Sequence, residues 1–101
     1  MTTLQKRIAA FEKVGAEALA DHTLRKLIHL QVQKYEKQLA EVRRELEPFE
    51  RQYGMTSEEG HQRFLAGELG DAGEVMEWMG LYDDVLLYRE WIATLQAAVD
   101  E

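Results

Sequence analysis

Ile28, Val32, Tyr35, Leu39, Val42, Leu46, Phe49 and Tyr53 follow one another at intervals of 4, 3, 4, 3, 4, 3 and 4. Apolar residues repeating this way commit a chain to a long α-helix with a single apolar seam. A second series answers the first, with Trp78, Leu81, Val85, Tyr88, Ile92, Leu95 and Val99 at intervals of 3, 4, 3, 4, 3 and 4. Two seams of similar length on one chain most simply close on each other, so the pattern predicts an all-α fold built on a long antiparallel, coiled-coil-like helical hairpin. The charged residues around the first seam, among them Lys34, Glu36, Lys37, Glu41, Arg43 and Glu47, mix both signs, as the solvated sides of such a helix do. Pro48 removes the hydrogen bond to the Arg44 carbonyl, but the heptad phase runs through it unbroken, which predicts a kink and not a break.

The stretch from Tyr53 to Asp71 joins the seams and carries most of the punctuation, including Gly54, Gly60, Gly67 and Gly70. Gly54 supplies the left-handed conformation in which helices commonly end, and Thr56 with Glu59 three residues later is a capping box that starts another. Ala66-Gly67 stops this short helix, and Asp71 with Glu74 repeats the capping arithmetic. Gly60 and Gly73, each in a first turn, soften these starts by roughly 0.5 to 1 kcal/mol relative to alanine. Before the hairpin, Leu4, Ile8 and Phe11 behind Thr2 or Thr3 mark a first helix, and Asp21 reads as the N-cap of the second, with Ala16 to Ala20 either helix or loop. The expectation is one helical domain over residues 1–101, with helices at about 3–14, 22–53, 56–66 and 71–99. The short helix sits at the tip, and the first helix lies at the open end against Leu27, Leu30 and the end of the last helix.

The last helix is apolar beyond its seam, because Val75, Met79, Tyr82 and Leu86 project on an adjoining arc. A two-helix seam covers only a narrow stripe, so this arc is expected to be an oligomer interface and the protein a homo-oligomer. Trp78 on the seam reads as core, whereas Trp91 lies off the seam and reads as an interface residue.

The net charge of −7 hides an asymmetry about the connector. Residues 1–53 carry ten Lys/Arg against eight Asp/Glu, net +2, and residues 54–101 carry two against eleven, net −9. An acidic half repels nucleic-acid backbones and suits a basic protein partner, so direct nucleic-acid contact is not expected. With no cysteine there is neither a disulfide framework nor a thiolate metal site. No run approaches the roughly 18 apolar residues of a membrane span and the first residues lack a signal-peptide core, so the expectation is a cytoplasmic protein off the membrane.

No constellation for catalysis, cofactor or metal emerges. His22 and His29 are seven apart, too far along one face to share a metal, and His61 beside Glu58 and Glu59 reads as a surface histidine. Glu77 and Asp84 share a face at two-turn spacing, but no His, Cys or further ligand converges on them. They fit the solvated face of an amphipathic helix, or, together with Trp91, a surface for a basic partner.

The connector carries a resemblance. Glu45-Leu46, Phe49-Glu50, Tyr53-Gly54-Met55, Ser57-Glu58-Glu59, Arg63-Phe64, Gly67-Glu68-Leu69-Gly70-Asp71 and Glu77-Trp78 resemble a group of small all-helical prokaryotic proteins over roughly residues 24–90. Most members are uncharacterised, and some are assigned as antitoxins of toxin-antitoxin pairs. The pattern of that group implies a bulky aromatic residue at position 60, where this chain has Gly60. The resemblance implies a non-catalytic, antitoxin-like protein that neutralises a small basic partner, such as an RNase-type toxin, with its acidic C-terminal half. Glu77, Asp84 and Trp91 are the expected partner contacts. The competing reading is a self-associating helical hairpin that serves as a scaffold.

Overall fold

The computed structural model describes residues 1–100, and all regular structure in them is helical. Four helices follow in order: α1 (Thr3–Lys13), α2 (Glu17–Tyr53), α3 (Ser57–Leu65) and α4 (Gly73–Val99). α2 is the spine, since its 37 residues span about 55 Å at 1.5 Å each, close to the 59 Å long axis of the molecule. It runs through Pro48 without interruption. α4 packs antiparallel along it, and every residue of the two predicted seams is buried or half-buried. The hairpin expected from the heptad series is the fold of the described residues. None of its helices is long and apolar enough to cross a membrane.

α2 starts five residues earlier than expected. Gly15, at φ +76°, lets the chain reverse after α1, and the Ala16 N–H closes the turn on the Phe11 carbonyl at 2.8 Å. The alanine-rich segment then continues as helix, which is its intrinsic preference. Asp21 lies inside α2 and is no cap; it accepts a hydrogen bond from Arg25 at 2.9 Å one turn on. Thr2 is the N-cap of α1, in a reciprocal capping box with Gln5.

At the tip, Gly54 takes the left-handed conformation and ends α2. Thr56 caps α3 by accepting from the Glu59 N–H at 3.1 Å, while the Glu59 carboxylate turns to Arg63 at 3.0 Å. A second cap comes from α2 itself: the Glu50 carboxylate accepts from the Ser57 N–H at 2.8 Å and from the Ser57 hydroxyl at 2.9 Å. The Ser57 hydroxyl in turn accepts from the Trp78 indole N–H at 3.0 Å. One chain of hydrogen bonds thus ties α2, α3 and α4, and satisfies the polar atoms of a fully buried tryptophan and a buried serine. The predicted cap at Asp71 is not used, since Ala72 precedes α4 without a side-chain hydrogen bond. Glu74 instead accepts from the Tyr53 hydroxyl at 3.2 Å. Partial burial, and then the charge of Glu74, hold that phenol above its ordinary pKa.

The core is concentrated at this end. Val42 and Leu46 of α2 meet Val75, Trp78, Met79, Tyr82 and Val85 of α4, with Phe64 and Leu69 closing over them. The Trp78 ring stacks on Tyr53 at 4.8 Å and lies parallel to Phe49 at 6.3 Å. Gly60 faces the edge of the indole, and a Cβ there would fall 2.6 Å from Cζ2 and nearer still to Cη2. The place that the group's pattern gives to an aromatic residue is filled by Trp78 from across the interface. This glycine gives up helix propensity for close approach.

That packing corrects the expected oligomer interface. Val75, Met79 and Tyr82 are buried within the chain, because α3 folds back over the adjoining arc of α4 and sets the His61 ring 5.1 Å from that of Tyr82. Leu86 alone of the four stays exposed. α1 also departs from expectation. It packs on α2 and on no other helix of the described residues, and Leu27 and Leu30 remain more than half exposed.

Candidate protein-binding face on α4

With its inner side taken by α2 and α3, α4 presents one outer face. Glu77, Asp84 and Trp91 recur every seven residues, and a helix returns to nearly the same azimuth at that interval, so all three project outward over about 21 Å. Glu77 and Asp84 are exposed, and neither has an ion-pair partner among the described residues. Asp83, next to Asp84, has the His61 ring nitrogen at 3.8 Å.

Trp91 is both anchored and available. Its ring lies 5.2 Å from that of Tyr35 on α2 and 5.8 Å from that of Tyr88, with Tyr35 and Tyr88 themselves 5.8 Å apart. Two aromatic neighbours fix its orientation, and 40% of its surface still faces solvent. A rigid, half-exposed tryptophan loses little conformational freedom on binding, which is what an interface anchor requires.

The structure adds two residues that the periodicity did not single out. Met76 and Leu87 lie off both the seam and the expected oligomer arc, and they are exposed on the outer face between the acids. Gly80 lies among them in mid-helix, and a Cβ there would meet nothing in the chain. Its absence of a side chain therefore serves no internal contact. Gly80→Ala should raise stability by about 0.5–1 kcal/mol, read from urea unfolding, because the helix gains propensity without a clash.

Two other concavities offer less. A cleft at the tip of ≈ 290 Å³ sets Arg43 and Arg89 against Glu47, Glu50 and Glu58, a mixture that favours no sign of ligand charge. A groove of ≈ 250 Å³ at the open end, between α1 and α2, is almost wholly apolar. No group of three or more His, Asp or Glu side chains that could hold a metal occurs among the described residues. His22 and His29 do not converge with a further ligand, and His29 lies 3.3 Å from the Gln33 amide. Compared with protein-family models, with curated proteins and with solved structures, the chain matches none.

Proposed function

We propose that the protein is a non-catalytic, antitoxin-like binding module that docks a small basic protein on the outer face of α4 and neutralises it. The reading is carried by the composition of that face: Met76, Leu87 and Trp91 supply apolar anchors, and Glu77, Asp83, Asp84 and Glu90 stand around them. Desolvated aromatic and aliphatic anchors supply affinity, and rim charges supply encounter rate and orientation. α4 holds five acids and one arginine, so a cationic partner is drawn to it and a phosphate backbone is not. The partner class, a toxin of RNase type in the cytoplasm, rests on the resemblance of Tyr53-Gly54-Met55 and Gly67 to Asp71 to the antitoxin-containing group. Trp91 and Leu87 would seat in partner pockets, and Glu77 and Asp84 would face its basic side chains.

The test is to express the product of the adjoining gene alone and together with this protein, and to follow growth and binding. Arrest by the neighbour alone, relieved by co-expression, is the expected result. Glu77→Gln with Asp84→Asn should slow association about tenfold at low salt and leave dissociation nearly unchanged. A neighbour that is harmless alone, or that does not bind, leaves the scaffold reading in its place. The exposed apolar groove at the open end favours that second reading.

A further inference from the structure

Seven of the eight buried apolar side chains belong to the core at the tip, and the eighth is Val32. α1 buries none of its residues. Arg25 donates to the Val99 carbonyl at 2.9 Å, which places the end of α4 level with Arg25 and leaves the first two turns of α2 beyond it. An isolated helix of 11 residues is marginal in water, and here it has one helical neighbour that covers one side of it.

The uncovered side is apolar and continuous. Leu4, Ile8 and Phe11 of α1 line the open-end groove with Leu19, Ala20 and Leu24 of α2. Leu27 and Leu30 extend it, since Leu19, Leu27 and Leu30 fall within an arc of about 80° at 100° per residue. Leu4, Leu19, Leu27 and Leu30 are 56% to 59% exposed and Phe11 is 42% exposed. With a bare large apolar side chain presenting on the order of 150–250 Å², these five offer roughly 500 Å². That is as large as the biggest apolar patch of a typical monomer, which is about 300–600 Å² and often functional.

We propose that this surface is a homodimer interface, in which α1 and the first turns of α2 pack on the same elements of a second copy. Two observations select a second copy. Interfaces are about 57% apolar, so roughly 500 Å² of apolar surface is the core of an interface of about 900 Å² per partner, the size of a standard stable complex. The charge also permits self-pairing here: residues 1–30 carry five Lys/Arg against three Asp/Glu, net +2, whereas α4 carries five acids against one arginine, net −4. A two-fold interface apposes like with like, which the open end tolerates and the α4 face resists. The two α1–α2 pairs would close as a four-helix layer and leave α4 of each copy free.

The experiment is light scattering on the full chain from micromolar to hundreds of micromolar concentration, beside Leu19→Lys with Leu27→Lys and, as a control, Leu87→Lys. The expected result is twice the 11.7 kDa chain mass for the unaltered protein and for Leu87→Lys. The double variant, altered at two exposed positions, should weaken association about 100-fold or more and keep its helical circular dichroism. Hydrogen exchange of the unaltered protein gives a readout that needs no substitution: on dilution, α1 amides should exchange faster while those of α3 do not change. A monomer at hundreds of micromolar, or a dimer that survives the double variant, overturns the proposal. A dimer broken by Leu87→Lys overturns it as well and moves self-association to α4.

Discussion

Trp78→Ala should lower the free energy of unfolding by about 3–5 kcal/mol, measured by urea denaturation under far-ultraviolet circular dichroism. The indole is fully buried, stacked on Tyr53 and met edge-on by Gly60, whose missing side chain leaves nothing to collapse into the cavity. Its loss also removes the N–H donor to Ser57 and with it the last link of the hydrogen-bond chain from Glu50. Ser57→Ala separates the two effects, because it keeps the ring and strands a buried N–H, at a cost of about 1–3 kcal/mol. In both variants α3 should lose amide protection before α2 does, since this chain fastens α3 to the hairpin. A loss below 1 kcal/mol for Trp78→Ala would show that the core does not centre on the tip.

Leu46→Asp should be the most damaging seam substitution, with a loss of about 4 kcal/mol or more. Leu46 is 3% exposed and packs in the cluster with Val75, Trp78 and Val85, so the change removes a buried aliphatic group and sets a carboxylate among apolar atoms without a partner. Against a total of about 5–15 kcal/mol for a domain of ordinary stability, such a loss leaves much of the population unfolded at room temperature. Leu65→Asp is the matched control, because Leu65 is 71% exposed and the same change there should move stability by no more than about 0.5 kcal/mol. Equal melting temperatures for the two variants would rule out the α2–α4 seam.

These effects fall where the sequence was easiest to read. The two seams announce themselves because every contact along a hairpin repeats the same spacing, and the stops at Gly54 and Gly67 need a conformation that glycine adopts readily. The start of α2 was harder, since Ala16 to Ala20 belong to no seam and Asp21 looks like a cap. What covers Val75, Met79 and Tyr82 was not visible at all. α3 is short, and at Gly60 it contributes no side chain to the packing, so no periodicity reports its fit to α4. The Glu50–Ser57–Trp78 chain joins residues 7 and 21 positions apart, at spacings no local rule reads.

The same holds for the candidate face. Glu77, Asp84 and Trp91 could be placed together by helical arithmetic, but Met76 and Leu87 gain meaning only once α3 has closed the opposite side of α4. The residues that carry the resemblance have structural work of their own. Tyr53 stacks on Trp78, Met55 and Leu69 pack against the core, and Gly54, Gly67 and Gly70 turn the chain at positive φ. What they share with the group is therefore first of all the construction of the tip.

The central claim is that the outer face of α4 binds a basic protein. Its most direct test is the dissociation constant of the adjoining gene's product for the unaltered protein, for Leu87→Ala with Trp91→Ala, and for Leu27→Ala with Leu30→Ala. Both pairs remove exposed apolar groups, so they differ mainly in which surface is altered. The account predicts at least a 100-fold weaker complex for the α4 pair, mostly through faster dissociation, and less than a threefold change for the open-end pair. An α4 pair that binds as tightly as the unaltered protein would contradict it.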